Sequence, residues 1–210
     1  MNLTFDKMKE LVIGAVRTEE TENGLQFFRF TEKQQELYRV TSENFYKKTF
    51  ATAGVRLSFC TDSEKLGLKM FFEAASSRRY FSVDVFADGK MIGCMDNFTE
   101  ADLPQDYTKV DGECGVVDQD FELGTGVKTV CIYLPWSALV FLQELRLDEG
   151  AFAEAVKPAK KLLAYGDSIT QGYDALRPSN RYVAKLADLL GAEELNKGIG
   201  GEKFFRPWLP

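Results

Sequence analysis

The sequence predicts a β-sandwich over residues 1–157. Over residues 158–210 it predicts the opening strand–helix–strand unit of a parallel α/β sheet. Three observations carry this. From Leu11 to Leu147, short runs with period-2 alternation are separated by Gly, Asp and Ser clusters. The stretch Glu149–Lys160 then mixes Gly150, Glu, Lys and Pro158 without strand periodicity. Beyond it the pattern changes to a continuous apolar run followed by helical spacing. At 210 residues, 45% of them hydrophobic, the chain is long enough for each part to bury a core.

Tyr80–Asp96 is the clearest element of the first part. Val83 and Val85 alternate with Ser82 and Asp84, Asp88-Gly89 supplies the left-handed pair of a tight turn, and Met91-Ile92-Gly93-Cys94 returns. Further strands are expected at Leu25–Phe30, Gly54–Cys60, Leu66–Phe72, Val116–Leu123, Val127–Leu134 and Ala138–Leu147, an arrangement of jelly-roll type. In the last of these, strict alternation puts Leu139, Phe141, Leu145 and Leu147 on one face. Val140, Leu142, Glu144 and Arg146 fall on the other.

In the second part, Leu162-Leu163-Ala164-Tyr165 reads as a buried parallel strand. Ser179 is the expected N-cap of a helix whose Tyr182, Val183, Leu186, Leu189 and Leu190 form one apolar stripe, with Gly191 just past its end. A short strand around Glu194-Leu195 leads to the glycine turn Gly198-Ile199-Gly200-Gly201.

A net charge of −6, from 32 acidic and 26 basic residues, leaves no basic stripe for nucleic acid or an anionic membrane. Met1–Val16 lacks a signal-peptide core and no segment reaches membrane-spanning length, so a cytoplasmic location is expected. Cys60, Cys94, Cys114 and Cys131 are scattered without any CxxC pair, which reads as reduced core thiols rather than disulfides or metal ligands. Phe27-Phe28, Phe71-Phe72 and Phe204-Phe205 read as core pairs, and Glu19-Glu20 and Lys47-Lys48 as solvated loops. Trp136 and Trp208, each next to a proline, are candidates for stacking on a sugar.

Chemistry concentrates at Gly166-Asp167-Ser168. A serine just past the carboxyl end of a strand has an exposed Oγ, and its own N–H can face a developing oxyanion. The glycine turn follows the second strand at the same edge, so Gly201 can bring a second N–H to the same place.

Gly166-Asp167-Ser168-Ile169-Thr170 resembles the first block of the SGNH, or GDSL-type, serine hydrolases. Asn196-Lys197-Gly198-Ile199-Gly200-Gly201-Glu202 is similar to the second block, Asn-x-Gly-x-Ser-Gly-Asp, with Gly200 for Ser and Glu202 for Asp. The resemblance covers only about residues 160–205. It implies Ser168 as nucleophile and oxyanion donor, Gly201 as second donor, and Gly166, Asp167, Asn196 and Gly198 in support, with Asp167 a structural neighbour rather than the triad acid. It also implies a flavodoxin-like domain, a carboxylic ester or carbohydrate ester as substrate, and neither metal nor cofactor. The preceding β-rich part resembles the sandwich that precedes the catalytic domain in two-domain carbohydrate deacetylases.

The chain contains no histidine. The family's asparagine and Asp-x-x-His blocks are also absent from it. Such a domain needs roughly five parallel strands, of which two are present, so the expectation is a truncated hydrolase, inactive alone, with an exposed sheet edge open to self-association. The alternative from a different class is a non-catalytic β-sandwich module that binds carbohydrate or protein.

Overall fold

The computed structural model describes residues 1–99 and 112–202; Phe204-Phe205 and Trp208 lie outside the described residues. Antiparallel strands dominate the regular structure among the described residues. One sheet runs β1 (Val12–Ile13), β4 (Arg56–Thr61), β9 (Lys128–Tyr133), β6 (Ser82–Ala87) and β7 (Lys90–Asp96), with β11 (Glu154–Ala155) also paired to β4. The other runs β2 (Arg17–Thr21), β3 (Gly24–Phe28), β10 (Ala138–Leu147), β5 (Lys65–Ala74) and β8 (Val116–Glu122).

Both sheets contribute one face to a single apolar cluster. Leu57, Phe59, Val83, Val85, Val130 and Ile132 come from the first, and Leu25, Phe27, Leu68, Phe72, Val140 and Leu142 from the second. Alternation sends each neighbouring side chain the other way. Phe27 is therefore in the core, while Phe28 lies beneath the Arg17 guanidinium, 3.5 Å from its ring centre, and edge-on to Phe50. Between β6 and β7, Asp88 and Gly89 both take positive φ, 47° and 75°, as a tight hairpin requires.

Several expectations are corrected. The register of β10 against β5 slips between Leu142 and Glu144, leaving Gln143 as an extra residue. The core face is consequently Ala138, Val140 and Leu142, then Leu145 and Leu147, rather than an unbroken alternation through Leu139 and Phe141. Phe141 instead stacks on Phe71, 5.7 Å between ring centres. Helices also stand where none was expected: α1 (Phe5–Glu10), α2 (Glu32–Thr41) and α3 (Glu43–Lys48). Thr31 and Gln34 close a capping box on α2, and Ser42 caps α3.

Trp136 is 2% exposed and packs on Tyr80 and Tyr173, so it offers no face to a sugar. All four cysteines are free and half-buried. The pair Lys47-Lys48 is not a solvated loop, because it ends α3 and Lys48 is buried.

Beyond β11, β12 (Lys160–Gly166) and β13 (Ala192–Gly198) pair in parallel, joined through α4 (Ser168–Gln171), a 3₁₀ turn (Pro178–Asn180) and α5 (Tyr182–Leu190). Gly191 takes φ 58° and ends α5 as a left-handed C′ residue does. Ser179 does not cap this helix. Its N–H and hydroxyl both donate to the buried Asp84 carboxylate, at 3.0 and 2.6 Å, and Arg181 takes the cap position without a side-chain bond. The expected stripe is also turned round: α5 buries Val183, Ala184 and Ala187, while Tyr182, Leu186, Leu189 and Leu190 are exposed.

Candidate functional site

Gly166 and Gly198 end the two parallel strands as register partners, so the segments after them start about 4.8 Å apart, one strand spacing. The Ile199 N–H donates to the Gly166 carbonyl at 3.1 Å and extends the pairing one step further. Gly198 has no room for a side chain, since a Cβ would stand 2.3 Å from the Gln171 nitrogen. This contact seats the end of β13 directly on the backbone of α4. The two motif blocks are thereby brought together.

Asp167 is the N-cap of α4, its carboxylate accepting from the Ile169 N–H at 3.0 Å. Ser168 is the first helical residue and is half-exposed. Neither its hydroxyl nor its N–H bonds to any described residue. Gly201, at φ +86°, is exposed, and its N–H is likewise without a partner among the described residues. The Ser168 N–H is one of the donors that a helix start leaves free, and it and the Gly201 N–H follow adjacent strand ends beside the Ser168 hydroxyl.

The supporting side chains are buried. Asn196 donates to the Thr170 carbonyl at 2.7 Å and to Glu194 at 2.9 Å, while its own side-chain oxygen accepts from the Gly198 N–H at 2.9 Å. Gln171 accepts from the Gly200 N–H at 2.8 Å and donates to the Trp136 carbonyl at 3.0 Å. Below them, Glu194 receives both forks of Arg181, at 2.5 and 3.0 Å, with both side chains essentially out of water. Burial pushes the Glu194 carboxyl up, but the Arg181 charge and bonds, the Asn196 bond and the Arg56 charge outweigh it and hold the carboxyl below its ordinary range.

Three cations stand behind the turn. Arg29, fully buried, donates to the carbonyls of Asn196 and Gly198 at 3.0 and 3.1 Å, and to those of Ala51 and Lys48 at 2.5 and 3.0 Å. Lys48 Nζ donates to the Gly200 carbonyl at 2.7 Å, and Lys197 Nζ to the Arg29 carbonyl. Burial, and secondarily the nearby Arg181, push the Arg29 guanidinium down. Burial and Arg29 push the Lys197 ammonium down to about 8. None of the three forms an ion pair with a described carboxylate.

Gln171, Arg181, Glu194, Arg29 and Lys48 were not expected at the site; the sequence named Glu194 only as part of a strand and Lys48 only as part of a solvated loop. Gln171 and Glu194 lie within or beside the two blocks and so were within reach of sequence reasoning. Arg29 and Lys48 belong to a distant segment and carry no local signal. Among the described residues, no cluster of His, Cys, Asp and Glu is arranged to hold a metal ion, and no helix is long and apolar enough to cross a membrane.

No family model matches the chain, and no curated protein matches it. Solved structures do. The salicylyl-acyltransferase SsfX3 from a tetracycline biosynthetic pathway is 25% identical with a TM-score of 0.69, over 89% of this chain and 51% of that one. A protein described as a GDSL-like lipase from Bacteroides ovatus is 21% identical with a TM-score of 0.70, over 96% and 57%. The chain shares the fold of the matching part of each. A family two carbohydrate esterase from Cellvibrio japonicus also matches, at 19% identity and a TM-score of 0.57, over 96% of this chain and 53% of that one. The chain spans about half the length of these proteins.

Proposed function

We propose that this chain is the N-terminal part of an SGNH-type esterase or carbohydrate deacetylase that attacks carboxylic esters through Ser168. In this reading residues 1–157 are a jelly-roll-like β-sandwich accessory domain. Residues 158–210 are the first two blocks of a flavodoxin-like hydrolase domain. Ser168 Oγ adds to the ester carbonyl, and the N–H groups of Ser168 and Gly201 receive the charge that develops on the carbonyl oxygen. The observation that carries the reading is that this hydroxyl and these two N–H groups, at neighbouring strand ends, have no partner among the described residues. The esterase and acyltransferase neighbours support it, and the carbohydrate esterases among them favour an acylated sugar as substrate.

The site is unfinished in this chain. Ser168 has no histidine to take its proton, and removing the base of a serine hydrolase lowers turnover on the order of a million-fold. Exposed Leu163 and Tyr165 on β12, and Leu186, Leu189 and Leu190 on α5, support a parallel sheet whose neighbours are missing. The same edge favours self-association of the isolated chain.

The test is hydrolysis of p-nitrophenyl acetate. The 210-residue chain is expected to match its Ser168→Ala variant, and a longer protein carrying the histidine block is expected to lose turnover completely on that substitution. Ser168-dependent turnover at ordinary enzyme rates in the short chain refutes the unfinished site. Undiminished turnover in the longer Ser168→Ala protein refutes the nucleophile.

A further inference from the structure

We propose that Lys48 and Arg29, on the N-terminal side of the molecule, are positioning residues for the glycine turn, and that Lys48 in particular aims and polarises the Gly201 N–H through the Gly200 carbonyl. The inference rests on reading Gly201 as an oxyanion donor.

The Gly200 carbonyl and the Gly201 N–H belong to one planar trans peptide, in which oxygen and hydrogen point in opposite directions. Lys48 Nζ, 2.7 Å from that oxygen, fixes the far side of the plane and so fixes the direction of the N–H. The other restraints flank that peptide: after it, the Glu202 N–H donates to the Ile199 carbonyl at 3.0 Å. Before it, Arg29 holds the Asn196 and Gly198 carbonyls, and Gln171 holds the Gly200 N–H. Gly198, Gly200 and Gly201 leave the segment little intrinsic stiffness, so its direction is set by these partners. A donor serving a reacting oxygen must be held to about 0.5 Å and 10–20°.

The donors are cations without a paired carboxylate among the described residues. A carbonyl that accepts from a cation is polarised, and its peptide N–H becomes the stronger donor, because bonds in a chain reinforce one another at low dielectric. Aromatic faces help hold the cations in place. Arg29 Cζ and Lys197 Nζ both stand over the Phe30 ring, 5.0 and 4.9 Å from its centre, and the Phe45 ring centre is 5.8 Å from Lys48 Nζ, with Phe45 3.5 Å from where a Cβ at Gly201 would stand. The strap from Arg29 through α2 and α3 thus acts as the outer wall of the turn.

Amide hydrogen exchange by NMR on the 210-residue chain tests this, comparing wild type with Lys48→Met and Lys48→Arg. In Lys48→Met the Gly200 and Glu202 amides, bonded to Gln171 and Ile199, are expected to lose protection at least about tenfold, the factor one charge-assisted hydrogen bond carries. The Gly201 amide proton is expected to move upfield as its peptide loses polarisation, and Lys48→Arg is expected to restore both readouts. Protection within about twofold of wild type in Lys48→Met overturns the proposal. So does an unmoved Gly201 resonance. If Lys48→Met does not fold, Lys48→Gln, which keeps a donor but not the charge, is read on the Gly201 shift, and a wild-type shift there overturns the polarising role. Failure of the esterase reading shows separately, as Ser168 turnover in neither the short nor the longer protein.

Discussion

Removing the charge of Glu194 is the most direct test of how the site is held. The carboxylate is fully buried beneath the second motif block, receives Arg181 at 2.5 and 3.0 Å and Asn196 at 2.9 Å, and faces Arg56 at 3.5 Å. Glu194→Gln keeps the shape but leaves Arg181, 1% exposed at its side chain, without a counter-charge. Arg56 keeps Asp188, so the loss falls mainly on one cation. Breaking a buried pair from one side costs about 3–5 kcal/mol. For a domain of this size that lowers Tm by roughly 6–20 °C. Urea denaturation followed by fluorescence of the buried Trp136 reads the change. The pH dependence has a defined sign. The folded carboxyl lies below its ordinary range, so its contribution is fully present above about pH 4.3 and fades as pH falls through the lowered folded value, narrowing the gap between wild type and variant. The double variant Arg181→Met, Glu194→Met is expected to recover most of the loss, because a well-packed apolar pair removes both desolvated charges. A Glu194→Gln variant within about 1 kcal/mol of wild type refutes the reasoning, as does a double variant no better than the sum of its singles.

Three further outcomes follow from the same geometry. Gly198→Ala, whose Cβ would stand 2.3 Å from a backbone nitrogen, is expected to cost at least about 1–3 kcal/mol and to shift the Gln171 and Gly200 amide resonances; unchanged spectra reject the close approach. Trp136→Ala is expected to destabilise by about 3–5 kcal/mol in urea denaturation, and a loss below about 1 kcal/mol would return Trp136 to the list of surface candidates. Lys197 releases its proton near pH 8 when folded and later when unfolded, so wild type should gain stability over Lys197→Met as pH rises from about 8 toward 10.5; a flat difference across that window refutes it.

Local signals carried much of the architecture. Asp88-Gly89 forced a hairpin, β10 has the bounds its composition suggested, and both motif blocks lie where parallel strands end. What escaped the sequence was of two kinds. An extra residue at Gln143 inverts the core face of β10, and a period-2 pattern carries no mark of such an insertion. The helices α2 and α3 are polar, with buried faces reduced to Gln35, Tyr38, Phe45 and Lys48, so no apolar stripe announced them. Thr31 and Gln34, three apart, were the available sign. The exposed stripe of α5 misled for the opposite reason, because the residues that pack are the small ones, Val183, Ala184 and Ala187.

Lys48 joins these omissions to function. A lysine pair in a sequence reads as solvent-facing because a buried ammonium is costly, and that cost is what makes its burial informative. An apolar contact would hold α3 against the second part of the chain without desolvating a charge. Nor does ion pairing explain the arrangement, since Arg29, Lys48 and Lys197 donate to backbone carbonyls. Carbonyl acceptors give direction rather than adhesion, because each fixes the plane of the peptide that bears it. The β-rich part of the chain is therefore built into the turn that follows β13. A variant that weakens Lys48 should disturb the turn before it loosens the two parts from each other, which remain joined through Arg177 to Asp84 and Asp96 and through Arg78 to Asp174.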